Sequence, residues 1–87
     1  MVMNMDLSDF RRRLDEIDSD LVALFLERMA VSREIGEYKR ENGLAVRDAS
    51  REEQIIKKNR AAASSARDAD ALEALYKLIF ELSRTVQ

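Results

Sequence analysis

A chain of 87 residues is bounded to one domain with a modest core for its surface. It has no Cys and no His, which excludes a disulfide staple, a zinc site, and catalysis by a thiol or an imidazole. A net charge of −2 leaves no basic footprint for nucleic acid, and no apolar run is long enough for a membrane span. Small chains without staples commonly gain stability by associating. The opening "MVMNMD" lacks a charged stretch followed by an apolar one, so no signal peptide is expected and the cytoplasm is the expected location. Arg outnumbers Lys, and a planar guanidinium fork suits carboxylates and phosphates.

There is no Pro and there are only 2 Gly, so long helices are the default. Breakers cluster in "NGLAVRDAS" (42–50) and "SSARDAD" (64–70). They divide a single domain, 1–87, into three predicted helices at roughly 7–42, 50–64 and 70–87, an all-α chain. Asp6 or Ser8 can cap the first helix. Its apolar stripe runs Leu7, Phe10, Leu14, Ile17, Leu21, Leu24, Arg28, Val31, Ile35, Tyr38 in alternating steps of three and four, a heptad seam. Gly43 can take the left-handed conformation that ends the helix. Gly36, inside it, points to a close backbone approach.

Ser50 and Glu53 read as a capping box opening the second helix, which carries Ile55, Ile56 and Asn59. Asp70 and Glu73 read as a similar box for the third. The third helix has a stripe of Leu72, Leu75, Ile79, Leu82 and Val86, with a second row of Tyr76, Phe80, Ser83 and Gln87 beside it. From Leu7 to Glu41 the first helix spans about 52 Å. A compact chain of this size has a radius of gyration of only about 12 Å. Two shorter helices cannot cover it, so an intertwined homodimer is the expected arrangement.

Arg28 on an apolar seam is the most informative residue. Lys39 lies three turns further on and projects in nearly the same direction, with the Cα atoms about 16 Å apart. Arg11 is about 25 Å from Arg28 and can join the same site only from another chain. The loop before the second helix offers Arg47 and Asp48, and its first turn offers Arg51 and Glu52. Ser83 and Gln87, four apart, share a face of the third helix. Together these suit a small ligand with carboxylates and a hydroxyl. Each also has a plain role. Arg28 could fix register or meet a Glu. Lys39 could favour the helix dipole, Asp48 could cap, and Ser83 could bond back to its own helix. Arg51 and Glu52 could be surface charge.

The set in order, Arg11 in "FRRRLDEIDSDL", Arg28 in "LERM", Gly36 and Lys39 in "IGEYK", "VRD" at 46–48, "RE" at 51–52, and Ser83 and Gln87 in "LSRTVQ", resembles the all-helical class of chorismate mutases. The resemblance covers nearly the whole chain. It implies an intertwined dimer of three-helix chains that converts chorismate to prephenate by a Claisen rearrangement, with no cofactor or metal. By position, Arg11 of the partner chain and Arg28 bind the substrate carboxylates, assisted by Arg51 and Ser83. Asp48 and Glu52 receive the ring hydroxyl. Lys39 and Gln87 face the ether oxygen, and Arg47 adds positive charge at the entrance. Lys39, Gln87, Arg28 and Glu52 are thus the expected catalytic residues. The alternatives are an isochorismate-pyruvate lyase on the same scaffold and a non-catalytic helical dimerisation or regulatory module.

Overall fold

A reciprocal pair of acids opens the first helix. The Asp6 carboxylate accepts the Asp9 N–H at 3.0 Å, and the Asp9 carboxylate accepts the Asp6 N–H at 3.1 Å. Ser8 donates its hydroxyl to Asp6 instead of capping. These donors, the Asp9 N–H first and the Ser8 hydroxyl next, hold the Asp6 carboxyl below its ordinary value. The computed structural model describes residues 5–87 as three helices: α1, Leu7–Glu41; α2, Ala49–Ala62; and α3, Ala66–Val86. Residues 1–4, the start of the segment read above for a leader, lie outside the described residues.

α1 stops where Gly43 turns left-handed, with φ of 65°. The Leu44 N–H reaches back to the Lys39 carbonyl at 2.8 Å and the Gly43 N–H to the Arg40 carbonyl at 3.4 Å. That is the paired C-terminal cap for which a residue without Cβ is suited.

The starts of the other two helices differ from expectation. α2 begins at Ala49, and its cap is Asp48, whose side chain accepts the Arg51 N–H at 3.0 Å, rather than Ser50. α3 begins at Ala66, capped by Ser65, whose hydroxyl accepts the Asp68 N–H at 3.1 Å. Asp70 and Glu73 therefore lie inside α3. They converge on the Arg60 guanidinium of α2, at 2.9 and 3.2 Å. Lys77 also bonds Glu73, at 2.9 Å, one turn further along the same helix.

The chain divides into two units, Met1–Ala30 and Val31–Gln87. The described part of the first is the N-terminal run of α1, on which Leu7, Phe10, Leu14, Ile17, Leu21 and Leu24 are all exposed. The second holds the last turns of α1 and the antiparallel pair of α2 and α3. Its interior is small. Ala69 and Phe80 are buried, and Tyr76 meets the Phe80 ring edge-on with centroids 5.9 Å apart. Phe80 and Ser83, at 6% and 5% exposure, mark the row of α3 that faces inward, whereas Leu75 and Leu82 of the neighbouring stripe keep 48% and 37%. Among the described residues no helix is long and apolar enough to cross a membrane.

Candidate functional site

The second unit brings the end of α1 and the end of α3 together, and a missing side chain permits it. A Cβ on Gly36 would lie 2.6 Å from the Gln87 Cα and 3.0 Å from its carbonyl oxygen. That is closer than any real Cβ contact, and the obstacle is main chain, which no rotamer change can relieve. Gly36 and Ser32, four apart on α1, are both buried. One turn beyond Gly36, Lys39 and Arg40 occupy the last turn of α1, where cations complement the helix dipole.

Lys39 then collects two acceptors. Its ammonium donates to the Gln87 Oε1 at 2.9 Å and to the Val46 carbonyl, which the turn after Gly43 carries back over the helix end. Arg40 donates to the Gln87 main-chain carbonyl at 2.6 Å. A lysine ammonium has three donors and no acceptor, so Gln87 must present its amide oxygen to it. The Gln87 amide NH₂ is left to face elsewhere. Among the described residues, one Lys39 N–H also remains for a ligand.

A second cluster lies between α2 and α3. Glu52, in the first turn of α2, accepts from the Arg84 guanidinium at 2.6 Å, and the Arg47 Nε stands 3.7 Å from its other oxygen. The three line an open cleft of about 570 Å³ whose apolar walls include Ile56 and Phe80.

The sequence-predicted residues are placed as follows. Lys39 and Gln87 are in contact, and Arg47 lies beside Glu52. Asp48 performs the capping role, bonded to the Arg51 main chain, while the Arg51 side chain is exposed. Ser83 is buried one turn before Gln87. Arg11, exposed, and Arg28, half-buried, belong to the first unit. Arg40 and Arg84 were missed by the sequence reading. Arg40 is bland beside Lys39. Arg84 follows Ser83 and points about 100° away around the helix, so spacing alone never ties it to Glu52.

Chemically, the Lys39–Gln87 corner offers an ammonium N–H and an amide N–H at adjacent points. Such donors stabilise negative charge that develops on a bound oxygen. The Glu52 cluster offers a carboxylate acceptor flanked by cations.

A relative named chorismate mutase, from Methanocaldococcus jannaschii, is 33% identical over 49 residues, which is 56% of this chain and 50% of the relative. The chain thus spans about half the length of that relative. No solved structure matches it at a significant level. The family model described as chorismate mutase type II matches residues 10–87, nearly the full length, and the chain belongs to that family.

Proposed function

We propose that the chain converts chorismate to prephenate within aromatic amino-acid biosynthesis in the cytoplasm. The observation that carries this is the Lys39–Gln87 pair, two residues 48 apart in sequence joined at 2.9 Å with an amide NH₂ and an ammonium N–H left to donate. In the rearrangement the bond from carbon to the ether oxygen breaks ahead of carbon–carbon bond formation. Negative charge therefore grows on that oxygen. Donors already held in place stabilise the transition state more than the substrate. No proton need be removed and no covalent intermediate formed, which suits a chain without Cys or His.

In this reading Arg28 and the partner's Arg11 clamp the substrate carboxylates, with Arg51 and Ser83 assisting. The clamp selects the compact conformer in which the reacting carbons approach. Asp48 and Glu52 receive the ring hydroxyl, and Arg47 adds positive charge at the entrance. Two copies of the chain form the intertwined homodimer that brings Arg11 to the other protomer's site. The exposed apolar rows of α1 and of α3 support that assembly, because a seam of this length is buried in stable helical proteins.

The test is to incubate the purified protein with chorismate, follow its loss against the uncatalysed background, and identify the product by NMR. Prephenate is expected from wild type. Lys39→Ala is expected to lower kcat by about 10²- to 10³-fold, the usual consequence of removing one such donor. Pyruvate released from isochorismate, with no prephenate from chorismate, would assign the scaffold to the lyase reaction instead. Full turnover by Lys39→Ala would remove this residue from the chemistry.

A further inference from the structure

Arg84 has none of the roles above, yet it bonds Glu52, which has one. The Arg84 guanidinium donates to the Glu52 carboxylate at 2.6 Å, a charge-assisted hydrogen bond. Both side chains are largely shielded, Arg84 at 28% and Glu52 at 18% exposure, so water screens the pair less than it screens a surface ion pair. The two carboxylate oxygens differ. Arg84 holds Oε2, whereas the Arg47 Nε lies 3.7 Å from Oε1, beyond hydrogen-bond reach. Oε1 keeps lone pairs that can accept an O–H. A carboxylate without a cation would also repel a dianionic substrate.

We propose that Arg84 is a positioning residue that acts through Glu52. It holds one carboxylate oxygen, neutralises the charge next to a dianion, and leaves the other oxygen to receive the substrate's ring hydroxyl. This rests on the functional reading above. A lysine at 84 would retain the charge but lose the planar fork that orients the carboxylate.

The experiment measures kcat and KM for chorismate and for its analogue lacking the ring hydroxyl, using wild type, Arg84→Ala, Arg84→Lys, Glu52→Ala and the double variant. Wild type is expected to prefer chorismate. Arg84→Ala is expected to lose about tenfold in kcat/KM for chorismate, mostly through KM, and to lose the preference with it. Arg84→Lys should recover KM but not the preference. In the Glu52→Ala background, Arg84→Ala should add nothing. Circular dichroism checks folding, and Arg84→Met, which keeps the aliphatic packing, substitutes if Arg84→Ala does not fold.

An unchanged preference in Arg84→Ala overturns the proposal, as does an equal loss with and without Glu52. Wild type that converts both compounds equally well leaves the mutase activity standing and removes the role of Arg84. Wild type that converts neither overturns the functional reading and this one with it.

Discussion

Gly36 shows how one absent methyl group can hold a site together. Replacing it with Ala raises helix propensity by about 1 kcal/mol. Against that stands overpacking of about 1–3 kcal/mol, since the new Cβ meets the Gln87 main chain at 2.6 Å. The clash is the larger effect. Gly36→Ala should therefore lower stability by no more than about 2 kcal/mol in a denaturant titration. The consequence for turnover is larger. Relieving the clash moves Gln87 away from Lys39, and a displacement of about 1 Å at a reacting group can reduce kcat about 100-fold. A variant that still folds, slightly destabilised, yet turns over slowly is the expected outcome. Wild-type kcat in Gly36→Ala would show that the close approach does not matter to catalysis.

Among the elements, α1 was the most legible. Asp6 ahead of an unbroken seam and Gly43 after it mark both ends, and the helix occupies Leu7–Glu41. The starts of α2 and α3 were harder because the local signals are degenerate. Asp48 and Ser50 are both good caps, and the tie goes to Asp48, two residues earlier. In "SSARDAD" the Ala and Arg between Ser65 and Asp70 are strong helix formers, so α3 extends back to the first available cap. Asp70 and Glu73 are thereby released to meet Arg60 across the α2–α3 pair, a contact that spacing within one helix does not reveal.

That network has a pH signature. Lys77 first, by hydrogen bond and charge, and then Arg60 hold the Glu73 carboxyl below its ordinary value of 4.5. A carboxyl depressed on folding contributes stability that is complete above its unfolded pKa and lost as pH falls through the folded one. The melting temperature should therefore drop below about pH 4.5, and Glu73→Gln should make that drop shallower. Because the group is solvated, the effect is small. Parallel melting curves for the two proteins across pH 3–5 would assign the acid sensitivity elsewhere.

For the whole molecule, the length of α1 and its apolar row lead to the proposed dimer. Sedimentation equilibrium should give twice the 10.0 kDa chain mass. Replacing Leu14 and Leu21 with Asp, which puts two charges on the seam, should yield monomers without turnover. The proposed sharing of residues across the dimer makes a sharper prediction. Arg11→Ala and Lys39→Ala are each expected to be inactive alone. Mixed and allowed to exchange, they form heterodimers in which one of two sites is intact, so activity should return to about a quarter of wild type. Verified exchange without recovery would place Arg11 outside the partner's site. The pairing of Lys39 with Gln87 could be anticipated from the family resemblance, but the Arg84–Glu52 pair needed the packing of α2 on α3.

The Lys39–Gln87 hydrogen bond also has a kinetic meaning. It closes a loop of 48 residues, whereas the bonds that build the helices and the Arg60 bridge link residues no more than 13 apart. Contacts between near neighbours in sequence form early, and those that must first close a long loop form late. The helices should therefore regain their dichroism before the ends of α1 and α3 find each other. A refolding chain is expected to pass through a period in which it has nearly all its secondary structure and lacks the corner proposed to act on substrate.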